Sequence, residues 1–230
     1  MANEQTAEPA VTGPRPIIAG AVALAAFAVL AAAFVAGAGL PAYQAVDTAV
    51  TAEALTTRTA ALTPIALLLH HVGEWPGTGV LVAAVAVPLL AARRWSAALL
   101  VAGSWLVTSA VLVPLLKDVF DRVRPAEQLV PMDSPAFPSG HAAFAAVLGM
   151  ALVAVVPRHR GWVLAGALVW TALMAWSRIY LGVHWLSDTV AGALLGWGVG
   201  LLAWGIVDRR GTRGGGTGPG EPPAGRPGGR

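Results

Sequence analysis

The stretch Ser177-Arg-Ile-Tyr-Leu-Gly-Val-His-Trp-Leu-Ser-Asp188 joins two long apolar runs and sets one arginine, one histidine and one carboxylate between them. His184 and Asp188 are four residues apart. A helix starting near His184 therefore puts them on one face, one turn apart. A carboxylate there accepts a hydrogen bond from one imidazole nitrogen. That fixes the tautomer, raises the basicity of the ring and leaves the other nitrogen free to attack. Arg178 lies one short loop upstream, and Gly182 lets that loop turn. A guanidinium fork beside an activated histidine points to an anionic substrate, because it matches phosphate oxygens. An Arg-His-Asp cluster that only anchors helix ends at a membrane interface fits this stretch equally well.

The flanking runs set the fold class. The chain has 230 residues, of which 56% are hydrophobic and 12% charged, against about 25% charged in soluble domains. A bilayer span needs about 20 apolar residues. Six runs are read as spans: 17–40, 76–92, 96–116, 140–156, 161–176 and 185–207. The first is longer than the roughly 7–15 apolar residues of a signal peptide core. The expected fold is all-α, a polytopic six-helix membrane bundle over residues 16–208. Residues 41–61, rich in threonine with Asp47, Glu53 and Arg58, read as an amphipathic segment at the outer interface between helices 1 and 2. Residues 1–15 and the Gly/Pro/Arg-rich residues 209–230 read as disordered cytoplasmic tails. Without cysteine, disulfides and thiolate chemistry are excluded.

The net charge of +3 comes mostly from arginines in loops and tails. They are topology signals rather than a nucleic-acid surface. Six spans put both termini on one side. The arginines of the N-terminal tail, of Arg93-Arg94, of Arg158 and Arg160, and of Arg209-Arg210 all fall on that side. The positive-inside rule makes it cytoplasmic. Residues 117–138 and 177–188 then both face outward, although nothing in counting spans required it.

Two more groups carry candidate chemistry. Lys117, the only lysine, and Arg124 are separated by six residues, among them Asp118, Asp121 and Arg122, and Pro125 follows. They read either as a phosphate clamp or as a snorkelling basic end of the third span. Phe137-Pro-Ser-Gly-His141 opens the fourth span. Pro138 presets a turn and Gly140 permits close backbone approach. Ser139 can cap the helix or bond a phosphate oxygen, and the first helical amides favour an anion. His141 can give a proton to a leaving oxygen. A plain helix start with an incidental histidine is the competing reading. His70-His71 with Glu74 suggests a metal site, but adjacent helical residues point about 100° apart. An interfacial belt is preferred there. The loops hold no matching acidic cluster for Mg²⁺.

Lys117-x6-Arg124-Pro125, Pro138-Ser-Gly-His141 and Ser177-Arg178-x5-His184-x3-Asp188 together resemble the three-part signature of the type 2 phosphatidic acid phosphatase (PAP2) superfamily. Each motif matches without a gap. The six-span layout resembles the membrane lipid phosphatase branch of that superfamily. The resemblance implies that His184 is the nucleophile and becomes a phosphohistidine, and that Asp188 orients it. It implies that His141 protonates the leaving group and then activates water. Lys117, Arg124, Arg178, Ser139 and the Gly140 amide would hold the phosphoryl oxygens, with no metal or other cofactor required. The expected partner is a lipid phosphate in the bilayer. An outward-facing site in a small chain puts polyprenyl pyrophosphates, such as undecaprenyl pyrophosphate, first among substrates. Phosphatidic acid and phosphatidylglycerol phosphate come next. A phosphotransferase would use the same site.

Overall fold

The structure, a computed structural model, describes residues 15–37 and 41–214. Most of the expected tails, residues 1–14 and 215–230, lies outside the described residues. Those described are helical or loop, with no β-strand among them. The helices are α1 (Arg15–Ala36), α2 (Gln44–Thr56), α3 (Leu62–Gly73), α4 (Trp75–Ala91), α5 (Trp95–Leu106), α6 (Val113–Phe120), α7 (Gly140–Val155), α8 (Arg160–Tyr180) and α9 (Leu186–Gly214).

Among the described residues, four stretches are long and apolar enough to cross a membrane: Arg15–Ala36, Trp95–Phe120, Pro157–Tyr180 and Leu186–Asp208. Helices α3 and α4, bent by 69° at their junction, make a fifth if the pair is one span. All six expected runs are helical over most of their described residues, but α7 has only 16 residues and falls short of the usual span length. Large apolar side chains on α1, α4, α5 and α8, such as Val22, Val80, Leu99 and Val169, are exposed on the bundle's outer surface. That much uncovered apolar surface suits lipid and not water.

Two prolines shape the path. Pro114 cannot donate to Ala110 and its ring crowds that carbonyl. The chain accommodates it with a π-helical turn, Val107–Leu112, between α5 and α6. Pro76 occupies the first turn of α4, where a missing N–H costs nothing. Glu74, between α3 and α4, is extended with ψ 164°.

Helix α7 is the axis of the bundle, with all but three of its sixteen residues buried. It packs on α9 and α8, and α9 packs also on α1. Close approach of α7 and α9 depends on Gly192, Gly196 and Gly200, spaced four apart along α9. A Cβ on Gly196 would collide with the Ala143 carbonyl and lie 2.8 Å from Ala146 Cβ; one on Gly200 would lie 2.9 Å from Met150 Cβ. Gly166 of α8 has no such neighbour within 4 Å. Gly→Ala in an open helix position stabilises by about 0.5–1 kcal/mol, whereas overpacking costs about 1–3 kcal/mol. Gly196→Ala is therefore expected to lower the thermal midpoint in detergent and Gly166→Ala to keep or raise it. Equal shifts of the two variants would contradict this packing.

Candidate functional site

The three sequence groups meet at one end of the bundle. Ser139, the N-cap of α7, donates its backbone N–H to the Asp188 carbonyl at 2.9 Å, which pins the starts of α7 and α9 together. Gly182 has φ +69°, the left-handed region that suits glycine, and a Cβ there would strike the Glu127 carbonyl. This turn swings the chain from the end of α8, where Arg178 sits, back to His184. The loop 121–139 crosses it, with the Leu129 N–H on the Leu181 carbonyl at 2.9 Å.

His184 and Asp188 face each other as expected, but α9 starts at Leu186, so His184 approaches from the preceding loop and not from one helical face shared with Asp188. Nδ1 of His184 lies 3.5 Å from Oδ2 of Asp188, within ion-pair range but outside hydrogen-bond geometry. Contacts of this kind often tighten only when substrate binds. On the other side of the ring, Nη1 of Arg124 is 3.3 Å from Nε2. A guanidinium only donates, so Nε2 holds the lone pair and Nδ1 carries the hydrogen, toward Asp188. Burial, and then the positive charges of Arg124, Arg178 and Lys117, push the His184 pKa well below the ordinary imidazole range. Both effects favour the neutral form of the ring.

The cations are held by backbone oxygens. Arg124 donates Nε to the Ser134 carbonyl at 2.6 Å, Nη2 to Ser134 Oγ at 3.1 Å and to the Pro135 carbonyl at 3.2 Å, and Nη1 also to the Val183 carbonyl. Lys117, half-buried at the end of α6, donates to the Pro135 carbonyl and reaches Ser134 Oγ at 3.4 Å. Lys117 and Arg124 thus converge on one short segment, which rules out a freely snorkelling lysine. Arg178 is fully buried. Its Nη1 donates to Nδ1 of His70 at 2.8 Å, while Nε and Nη2 have no protein partner. Ser139 Oγ is likewise buried without a partner and makes no capping bond, so of its two expected roles the capping one is not used.

Three features escaped the sequence reading. His70, expected in an interfacial belt, is buried in the site. Its ring stacks on that of His141 with centroids 5.5 Å apart, and its carbonyl accepts from Nε2 of His141 at 2.9 Å. A Cβ on Gly73 would overlap the His141 ring, so the α3–α4 bend is fitted to that histidine. A histidine three residues before a Gly-Glu-x-Pro break was the available signal. Second, one ligand atom from each of His70, His71 and Glu74 can lie within 4.8 Å of the others, so adjacency does not keep them apart as the helical angle suggested. Yet Nδ1 of His70 accepts from Arg178. Its Nε2 then carries the proton, directed at Glu74 3.4 Å away, and has no lone pair for a metal. Third, Arg122, read only as a charge in a loop, is buried between Asp188 and Asp47 of α2. A lone Asp in a weakly apolar segment carried no sign of that.

A cavity of about 660 Å³ opens beside this cluster. Lys117, Asp118, Gly140, His141 and Glu74 supply its polar wall; Trp75, Val113 and Phe144 supply an apolar one. Its lining comes from α4, the α5–α6 connection, residues 134–135 and the start of α7. His184, Arg178 and Asp188 are not on its wall.

A family model described as "PAP2 superfamily" matches residues 94–212, more than half of the chain. Phosphatidylglycerophosphatase B of Escherichia coli (strain K12) is 39% identical over 75 residues, which are 32% of this chain and 30% of that protein. An undecaprenyl-diphosphatase of Sulfolobus acidocaldarius is 32% identical over 112 residues, 44% of this chain and 53% of that protein. The matches thus span between about a third and a half of these relatives' length. A crystal structure described as the first transmembrane PAP2 type phosphatidylglycerolphosphate phosphatase from Bacillus subtilis superimposes with a TM-score of 0.69 at 28% identity, covering 85% of this chain and 96% of that one. The crystal structure of Aquifex aeolicus LpxE shares the fold alone, with a TM-score of 0.55 at 23% identity, over 70% of this chain and 92% of that one.

The depressed pKa of His184 gives a direct expectation. A group whose pKa is lowered stays deprotonated until the pH falls well below its ordinary value of about 6.5. In histidine NMR of the free protein, the His184 ring should remain neutral, with Nδ1 protonated, at about pH 6. A His184 ring that takes up a proton at its ordinary value would contradict the burial and charge arrangement.

Proposed function

The chain belongs to the PAP2 superfamily, and from that premise and the site geometry we propose that it is an integral membrane lipid phosphatase working through a phosphohistidine on His184. The observation that carries this reading is the set of buried donors without protein partners, Nε and Nη2 of Arg178 and Oγ of Ser139, in the cluster that also holds the neutral His184 ring. Buried polar groups are rarely left unpaired. A guanidinium edge, a hydroxyl and the first amides of α7 together suit the oxygens of a phosphoryl group.

In this account the phosphoryl oxygens bind the free edge of Arg178, Ser139 Oγ and the Gly140 amide. Lys117 approaches from the cavity. Nη1 of Arg124 moves from Nε2 of His184 to a phosphoryl oxygen, which frees the lone pair. Nε2 attacks phosphorus in line while the bond to the leaving oxygen breaks. His141, with its Nε2–H held by the His70 carbonyl, takes up a second proton on Nδ1 from solvent as the anionic substrate binds and passes it to the leaving oxygen. Asp188 balances the positive charge that develops on the His184 ring. Water then attacks the phosphohistidine, His141 takes its proton, and phosphate leaves.

The substrate is a lipid. The apolar wall of the cavity, with Trp75, Val113 and Phe144, suits an acyl or prenyl chain arriving sideways. The arginine distribution orients the site outward with both termini cytoplasmic, and α7 counts as the sixth span. Polyprenyl diphosphates such as undecaprenyl pyrophosphate remain the first reading. Phosphatidylglycerol phosphate is a second one, favoured by the Bacillus subtilis structure.

Purified protein in detergent should release phosphate from one of undecaprenyl pyrophosphate, phosphatidylglycerol phosphate or phosphatidic acid, with EDTA present. Vanadate should inhibit, and His184→Ala should lower the rate by at least about 10³-fold, as loss of a covalent nucleophile does. Release that persists in the variant would sink the phosphohistidine reading. Transfer to an added alcohol in preference to water would make the enzyme a phosphotransferase.

A further inference from the structure

The family signature leaves the six positions between Lys117 and Arg124 unspecified, and α2 lies outside all three motifs. Yet Arg122 makes four side-chain hydrogen bonds in the cluster, two of them to carboxylates. It is 3% exposed. Its Nη1 donates to Oδ1 of Asp188 at 2.5 Å and to Ser187 Oγ at 2.7 Å. Its Nη2 donates to Oδ2 of Asp47 at 2.7 Å and to Oε1 of Gln44 at 2.8 Å. Asp47, itself 1% exposed, accepts in addition from the Ser187 N–H at 2.8 Å and from Ser187 Oγ at 2.6 Å. The rings of Phe34, Tyr43 and Trp185 lie 5.5 to 5.8 Å from the guanidinium carbon.

We propose that Asp47 and Arg122 are positioning residues for the reaction: α2 grips Arg122 through Asp47, and Arg122 fixes the carboxylate of Asp188 against His184. This rests on the phosphohistidine reading above. The geometry explains why Asp188 needs such a partner. Its Oδ2 faces His184 and also accepts the Trp185 N–H at 2.9 Å, so Oδ1 alone is left to set the rotation of the carboxylate. Arg122 occupies Oδ1, and its planar fork extends the alignment to Asp47. The charges alternate along the line: Asp47 negative, Arg122 positive, Asp188 negative, and then the His184 ring, which becomes positive as it takes the phosphoryl group. A misaligned Asp188 would weaken stabilisation of that late charge while substrate binding stays intact.

The test uses full-length protein in detergent, with the lipid phosphate that the wild type hydrolyses. Asp47→Asn, Arg122→Lys, Arg122→Met, the double variant Asp47→Asn/Arg122→Met and His184→Ala are compared. Asp47→Asn and Arg122→Met should lower kcat by about 10- to 100-fold, the usual effect of losing an outer partner, with KM changed less than about threefold. Arg122→Lys should retain more kcat than Arg122→Met. The double variant should be no worse than the poorer single one, because the two residues act as one unit. Should Arg122→Met fail to fold, Asp47→Asn and Arg122→Lys decide by the same split between kcat and KM. Wild-type kcat in both Asp47→Asn and Arg122→Lys, with His184→Ala inactive, would overturn the positioning role and leave the phosphohistidine reading standing. Losses that only follow the folded fraction, or additive losses in the double variant, would also overturn it. Full activity of His184→Ala would overturn both.

Discussion

Three guanidinium groups, those of Arg122, Arg124 and Arg178, are buried at one end of an apolar helix bundle. A charge taken out of water must be matched by acceptors or by an opposite charge. The rest of the site follows from how each is matched. Arg122 is paired with two carboxylates. Arg124 is clothed in carbonyls of residues 134, 135 and 183. Arg178 is only partly matched, by one nitrogen of His70, and keeps two donors free. This gradation separates framework from function. The two satisfied arginines tie loop 121–139 to α2 and to the start of α9, and in the proposed mechanism the unsatisfied one takes an anion.

The bundle serves that arrangement by bringing helix ends together. Glycines on α9 let it lie against α7, so the Ser139 and Asp188 backbones bond directly and the α7 N-terminus stands beside the His184 loop. The break between α3 and α4 seats His70 under Arg178 and beside His141. Arg58, on the α2–α3 connection, donates to the carbonyls of Tyr180 and Glu127 at 3.0 and 2.8 Å and holds that connection on the end of α8. Residues 44–73 are therefore a structural part of the site.

Much of this was legible in the sequence. The helix runs from 76 onward were readable because apolar stretches end at Arg93-Arg94, Arg158 and Pro157, where charge or proline stops them. The Pro-Ser-Gly-His helix start carried local geometry directly, and His184 and Asp188 do meet, although only Asp188 is on the helix. What stayed hidden was long-range. Asp47 meets Arg122 across 75 residues, and His70 meets Arg178 across 108, and no period or turn chemistry encodes such pairs. The span count was also blurred, since the α3–α4 bend and the short α7 depart from a straight helix of uniform length.

The central claim is that Nε2 of His184 carries the phosphoryl group between lipid and water. Rapid acid-free quenching during turnover, followed by digestion and mass spectrometry of the peptide containing residues 177–188, tests it most directly. The account predicts a phosphoryl group on His184 that is lost in acid and stable in base, formed and consumed at rates compatible with turnover. Phosphate released in the first turnover with no modification of His184, or with the group on another side chain, would contradict it.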